Sequence, residues 1–168
     1  MDQHSAHKAK IAAQFIGAIP FSKALGMELT EIGEGRAVIV MPWDARIVGD
    51  PRSGVVHGGA VTALMDTCSG AAVMAHPEGA SATATIDLRI DYMRAARTGH
   101  RITAEAICHH VTRSVAFVRA QATDEDAGAG PVATATGVFT FERDTRVPRK
   151  TASADTDGGT ASGPEGTP

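Results

Sequence analysis

The sequence predicts an α+β domain in which one long buried helix is wrapped by a curved antiparallel β-sheet. Two patterns carry that expectation. Residues 58–75 form a proline-free run with small or apolar side chains around nearly the whole circumference, from Ala60, Val61, Ala63 and Leu64 through Met65, Cys68, Ala71, Ala72 and Val73; a helix that is hydrophobic all round is a buried one. Four β-rich segments follow it, separated by short turn-forming stretches, and strands joined in that way pair antiparallel. Helix and strands are segregated along the chain rather than alternating, which is the α+β arrangement. The 168 residues suffice for one ordinary domain with a real core and are too few for a second full one.

Residues 1–20 are expected to form an N-terminal amphipathic helix packed on the domain, because Ile11, Phe15, Ala18 and Ile19 recur at helical spacing. Lys8 and Lys10 ahead of an apolar stretch imitate a secretory signal, but Gln14 interrupts it. The domain itself spans 21–142. A turn at Gly33 to Gly35 leads into a strand, Arg36 to Met41, stopped by Pro42. A Gly-, Pro- and Asp-containing loop, Asp44 to Gly54, precedes the helix of about five turns. In Thr83 to Tyr92 the alternation is clean: Ile86, Leu88, Ile90 and Tyr92 share the face expected to meet the core, and Thr85, Asp87, Arg89 and Asp91 share the other. Arg101 to His109, Ser114 to Ala122 and Val132 to Phe141 supply the remaining strands, with breaks at Thr98-Gly99 and Asp124 to Gly130. Residues 143–168 are rich in Gly, Thr, Ser, Ala, Asp and Pro, with Val147 as their one large aliphatic residue. They cannot bury enough surface to offset their ordering entropy and read as a disordered, solubilising tail.

Composition removes several function classes. A formal charge of -3 with interspersed signs gives no nucleic-acid footprint. No apolar run approaches the ~20 residues of a membrane span. Cys68 and Cys108 are too few for a disulfide-stapled secreted scaffold and form no CxxC pair. The expected setting is the reducing cytoplasm. His109-His110 and the N-terminal histidines lack metal-ligand spacing, so no metal is invoked.

The chemistry concentrates in Val55-Val56-His57-Gly58-Gly59-Ala60-Val61-Thr62-Ala63-Leu64-Met65-Asp66. A carboxylate on so apolar a helix is costly to bury without a hydrogen bond or a solvated cavity. Asp66 therefore either bonds a neighbouring hydroxyl or amide for structural reasons, or faces a pocket. Its helical neighbours Gly59, Thr62, Ser69 and Gly70 are small or hydroxylated and suit a narrow polar groove. The first turn of a helix leaves amides unpaired at the positive end of the dipole. Gly58 and Gly59 let a ligand oxygen approach those amides, as an oxyanion hole requires, or simply make room where loop meets helix. Eight residues of rise separate Gly58 from Asp66 by about 12 Å, whereas a reacting carbonyl must lie near 3 Å from both donor and base. One helix cannot supply both; two antiparallel copies in a two-fold homodimer can. Cys68 lies about half a turn from Asp66 and, with no histidine on the helix to activate it, reads as core.

His57-Gly58-Gly59 followed by Leu64 and Asp66, then Ile86-Asp87-Leu88-Arg89-Ile90-Asp91-Tyr92-Met93-Arg94, resembles the hotdog-fold acyl-CoA thioesterases of the phenylacetic-acid-degradation (PaaI-like) group. The resemblance covers roughly Phe21 to Phe141. It implies an acyl-CoA thioesterase without metal or organic cofactor, assembled as dimers that pair into tetramers. It implies that Asp66 activates water or attacks the thioester carbon, that the Gly58 amide of the other subunit polarises the carbonyl, and that Thr85 holds the water or carboxylate. His57 then orients the loop and helix start, and Gly59 belongs to the same substrate-facing turn. One departure stands out: the position six residues before the histidine, often asparagine in the group, is Pro51, with Asp50 and Arg52 beside it as possible replacements. Guanidinium forks suit phosphate, and Arg89 and Arg113, ahead of Arg94 and Arg97, are the candidates to meet coenzyme A. The same fold hosts other activities, so two rivals stand: a non-catalytic acyl-CoA-binding module, and an enoyl-CoA hydratase or dehydratase needing a histidine opposite an acid.

Overall fold

The computed structural model of the protein describes residues 17–126 and 128–143. The N-terminal helix expected over 1–20 and the tail expected over 143–168 lie outside the described residues except at their inner ends. At the first of these, a short helix, α1 (Pro20–Ala24), opens with proline at the position where its missing amide costs nothing. It tucks Ser22 against the domain, with Ser22 Oγ 3.4 Å from Thr67 Oγ1. The chain continues through β1 (Glu28–Gly33), β2 (Arg36–Met41), a 3-10 turn (Ala45–Ile47), β3 (Val48–Asp50), β4 (Val55–Val56) and the central helix α2 (Gly58–Met74). Then follow β5 (Ala80–Ala82), β6 (Thr85–Tyr92), β7 (Ile102–Val111), β8 (Val115–Asp124), β9 (Ala133–Thr140) and β10 (Glu142–Arg143).

Six strands form one antiparallel sheet in the order β1-β2-β7-β8-β9-β6, with α2 lying on one face, as the sequence predicts. Two short ribbons, β3 with β4 and β5 with β10, were not separable in the sequence from the loops around them. Arg143, placed by composition in the tail, belongs to the fold. It pairs with Glu78 and lies 5.3 Å over the Phe141 ring, closing β10 against the end of α2.

The sheet face that receives the helix is floored with alanine. Ala37 on β2, Ala104 and Ala106 on β7, Ala116, Ala120 and Ala122 on β8, and Ala133 and Ala135 on β9 are all buried. The bulk comes from the helix, where Leu64, Met65, Cys68 and Val73 are fully buried. Each large aliphatic side chain so buried contributes roughly 1.5–3 kcal/mol. Gly137 on β9 extends the same logic, since a Cβ there would sit 2.9 Å from both Leu88 Cδ1 and Phe139 Cε2.

β6 departs from its expected behaviour in two ways. It is an edge strand, paired with β9 on one side only, so the apolar face expected to meet the core does so only at Leu88 and Ile90. Ile86 and Tyr92 are 57% and 50% exposed, and the adjoining Met93 61%. Its register also shifts between Thr85 and Asp87: Thr85 lies opposite Phe139 and Asp87 opposite Val138, leaving Ile86 as the extra residue of a bulge. Thr85, which strict alternation assigns to the same face as Asp87, is thereby turned onto the face of the buried Phe139, toward the helix.

The loop after β6 is held chiefly through Asp124. Arg94 meets Asp124 in a bidentate contact, both bonds 2.7 Å, and also reaches Gly130 O at 2.8 Å; the amide of Arg97 adds a bond to Asp124 at 2.9 Å. Asp124 is sealed from solvent, and the Arg94 guanidinium holds its carboxyl well below the usual carboxylate range.

Two stability predictions follow from this packing. Gly137→Ala overpacks the strand and should destabilise the fold by about 1–3 kcal/mol in chemical denaturation. A carboxyl whose folded value is depressed gives stability that is present above its unfolded value and lost as pH falls through the folded one. The native protein should therefore be more stable than Asp124→Asn at neutral pH. That advantage should shrink below about pH 4 when thermal midpoints are compared across an acid titration.

Candidate active site

The start of α2 is pinned from three directions. His57 is its N-cap, with extended backbone (φ -61, ψ 133). Its own amide donates to Ile47 O at 2.8 Å, and its carbonyl accepts from Ala60 N at 2.9 Å. Its imidazole Nδ1 accepts from the amide of Gly59 at 2.9 Å. A ring nitrogen that accepts a bond uses its lone pair to do so.

The two glycines, equivalent in the sequence, have different places here. A Cβ at Gly59 would lie 2.9 Å from His57 Nδ1, so Gly59 makes room for the cap, and its amide is already engaged. The amide of Gly58 has no hydrogen-bond partner among the described residues. It borders a hollow of about 340 Å³ whose walls include Val55, Val61, Tyr92, Met93 and Val132.

Asp66 lies two turns along the helix, half-buried, and Thr85 Oγ1 donates to its Oδ1 at 2.7 Å. That bond exists because the bulge at Ile86 turns Thr85 inward. The carboxylate borders a second cleft, about 410 Å³, walled by Ile19, Thr67, Gly70, Met74, Thr85 and Phe139 among others. The two hollows have no lining residue in common. The polar groove expected along the helix is thus divided: Gly70 and Thr67 accompany Asp66, Thr62 belongs to the helix tip, and Ser69 is buried with its hydroxyl unpartnered among the described residues.

Tyr92 is the residue that sequence reasoning passed over. Its hydroxyl donates to Gly58 O at 2.7 Å and lies 2.7 Å from Thr62 Oγ1, which is itself 3.1 Å from Gly58 O. Alternation marked Tyr92 only as a core residue, because nothing local to the strand says that the helix tip will lie beneath its last position.

The arginines divide. Arg94 is committed to Asp124, and Arg97 pairs with Asp126 at 2.5 Å. Arg89 is exposed on β6 and meets Asp91 at 2.8 Å. Arg113 is exposed in the turn between β7 and β8 and forms no ion pair among the described residues. Beside Pro51, Asp50 accepts from the Arg52 amide at 3.0 Å and from Ser53 Oγ at 3.1 Å, bonds that lower its pKa and fasten the turn. Arg52 lies 3.3 Å from the same carboxylate. Burial pushes the Cys68 thiol up to about 12 and the Cys108 thiol up to about 11, so both stay protonated and pack as core. Among the described residues, no cluster of three or more His, Cys, Asp or Glu side chains could hold a metal ion, and no helix is long and apolar enough to cross a membrane.

Comparison with known proteins agrees with this architecture. The family model of the thioesterase superfamily matches residues 53–130. The medium/long-chain acyl-CoA thioesterase YigI of Escherichia coli is 30% identical over 129 residues, covering 69% of this chain and 83% of that protein; its Salmonella typhimurium counterpart matches to the same extent. Among solved structures, a Pseudomonas aeruginosa protein is 36% identical with a TM-score of 0.69, over 79% of this chain and 97% of that one. A variant of the phenylacetic acid degradation protein PaaI from Thermus thermophilus is 28% identical with a TM-score of 0.64, over 73% of this chain and 98% of that one. With its helix on a six-stranded antiparallel sheet and these relatives over most of their length, the chain belongs to the thioesterase superfamily as a hotdog-fold acyl-CoA thioesterase, a thioester hydrolase.

Proposed function

We propose that the protein hydrolyses acyl-CoA thioesters at two composite sites of a homodimer, each formed by Asp66 of one protomer and the Gly58 amide of its partner. The observation that carries this reading is the separation of the two groups. The free amide and the carboxylate border different hollows and lie about 12 Å apart along one rigid helix, too far to act on one carbonyl.

The free edge of β6 supplies a way to assemble the site. It presents unpaired ladder positions flanked by the exposed Ile86, Tyr92 and Met93, a surface that seeks another strand. Two copies of β6 paired antiparallel about a two-fold axis must keep inward residues opposite inward residues. With Leu88 on the axis, each Asp87 stands opposite the partner's Arg89. Placing Arg89 on the axis instead sets it against its own copy and each Asp87 against the partner's Asp91, like charges that destabilise a ladder. The Leu88 register brings the Thr85 end of one strand, with its Asp66, beside the Tyr92 end of the other, with its Gly58.

At such a site the partner's Gly58 amide receives the negative charge that develops on the thioester oxygen. Asp66, oriented by the Thr85 hydroxyl, either removes a proton from water as it attacks or attacks the carbonyl carbon itself. Collapse of the tetrahedral species breaks the C–S bond and releases the thiolate of coenzyme A, which takes up a proton; the free acid is formed directly where water attacked, and by hydrolysis of the acyl-aspartate anhydride, which restores Asp66, where the carboxylate attacked. No metal or organic cofactor enters. The apolar cleft beside Asp66, with Ile19, Met74 and Phe139, suits an aliphatic acyl chain of the medium or long class for which the YigI relatives are named. Arg113 and Arg89 are the cations offered to the coenzyme A phosphates, and dimers pair into tetramers. Two unpaired cysteines fit a cytoplasmic setting. A hydratase or dehydratase reading lacks its base, because the acceptor nitrogen of His57 is committed to Gly59.

Asp66→Asn should lower thiol release from acyl-CoA by about 10²-fold or more. Gly58 occupies the first helical position, where proline is well accommodated, and His57 already has the extended backbone that precedes a proline. Gly58→Pro therefore removes the amide hydrogen at little cost to the helix and should reduce kcat by about 10²–10³-fold. Heterodimers of the two variants contain one intact site and should recover about half the native rate; no recovery in confirmed heterodimers overturns the composite site. Substrate bound by native protein with no acid formed would instead indicate a binding module. For the register, Leu88→Cys should give an oxidised covalent dimer and Arg89→Cys should not, because only the former places equivalent residues within disulfide reach. The reverse result would reject the register.

A further inference from the structure

The hydroxyls of Tyr92 and Thr62 and the carbonyl of Gly58 form a closed triangle at the tip of α2, with sides of 2.7, 2.7 and 3.1 Å. A helix N-terminus needs no such arrangement, since the Gly58 carbonyl already faces the amide of the residue one turn on. The triangle occupies its remaining acceptor capacity with a residue from a different element, the last residue of the edge strand. Gly58 also has no Cβ to restrict its backbone. The free amide belongs to the His57–Gly58 peptide, tied at its carbonyl end by Ala60; the next peptide, Gly58–Gly59, is tied at its amide by His57 Nδ1 and at its carbonyl by Tyr92, and the two planes share only the Gly58 Cα. Tyr92 reaches that carbonyl with its hydroxyl 3.4 Å from where a Gly58 Cβ would lie, and it walls the same hollow that the Gly58 amide borders.

We infer that Tyr92 and Thr62 are positioning residues for the oxyanion turn: by holding the Gly58–Gly59 peptide at its carbonyl they anchor the Gly58 Cα, so that the adjoining His57–Gly58 peptide does not rock about it and its free amide is aimed before substrate arrives. This rests on the reading of Gly58 as the oxyanion donor. The arrangement also explains why a tyrosine half-open to solvent follows Leu88 and Ile90 at the end of the strand. Its ring spans from the sheet edge to the helix tip, and the hydroxyl meets the one partner there that matters for turnover. Thr62, four residues beyond Gly58 on the same helix face, supplies the second hydroxyl that orients the phenol. Preorganised donors act because they need not reorient as charge develops. Losing the latch should therefore reduce the chemical step without weakening substrate binding.

The test uses the full chain, acyl-CoA thiol release and size-exclusion chromatography to confirm the dimer. Tyr92→Phe keeps the ring and removes the hydroxyl; kcat should fall about threefold to tenfold, the range of one lost hydrogen bond, with KM and thermal midpoint unchanged. Thr62→Val should lose a similar factor from the helix side, away from the strand edge, and Thr62→Ser, which restores the hydroxyl, should recover most of it. Because the two hydroxyls act as a unit, Tyr92→Phe combined with Thr62→Val should be little worse than either alone. An unchanged kcat in Tyr92→Phe, an effect confined to KM, or independent multiplicative losses would overturn the inference. If Gly58→Pro loses its rate while Tyr92→Phe does not, the latch fails and the oxyanion reading stands; if Gly58→Pro is itself fully active, the oxyanion reading fails first.

Discussion

A helix can lie close on a sheet only where the facing side chains leave room for it, and here β2, β7, β8 and β9 make that room with alanine. Leu64, Met65 and Val73 then fill the space from the helix side, at the close packing that protein interiors require. Both positions proposed for the chemistry, Asp66 and Gly58, depend on this contact. Because α2 cannot slide or roll without driving a large side chain into the floor, the azimuth of Asp66 and the location of the helix tip are both set by packing. The sheet in turn brings its edge strand to both places, holding Asp66 through Thr85 at one end and Gly58 through Tyr92 at the other.

The polar groups near this apolar contact are few, and most are engaged. Asp66 is held by one hydroxyl and otherwise opens onto a cleft rather than into packing, which leaves it an ionisable group with a free oxygen. Asp124 shows the opposite solution, sealed and fully bonded, and its work is to hold the loop of Arg94 to Ala96 along the hollow beside Gly58. The same residue type thus serves as scaffold where its hydrogen-bonding capacity is exhausted and is available for the proposed chemistry where it is not. Ser69 is the exception for which the packing offers no account.

Much of this was legible in the chain. The helix announced itself through an unbroken apolar circumference, and the strands through their alternation and turns. Asp66 stood out because an acid on such a helix needs a reason. What could not be read locally were features created by pairing. The bulge at Ile86 exists only in relation to β9, and it reverses the face of Thr85. The exposure of Ile86 and Tyr92 reflects strand order, which period-two alternation does not encode. Gly58 and Gly59 look alike until His57 folds over one of them. Arg94 and Asp124, thirty residues apart, carry no joint signal in a single sequence.

The bare flank of β6 has a consequence outside catalysis. An unpaired ladder with aliphatic side chains beside it is a template on which any extended segment can nucleate further sheet. Asp87, Arg89 and Asp91 punctuate that flank with charges that most invading strands fail to match, as gatekeeper residues do. A newly made subunit of the proposed dimer would then be selective about what it zips to, and its solubility would depend on how quickly it meets a sister chain.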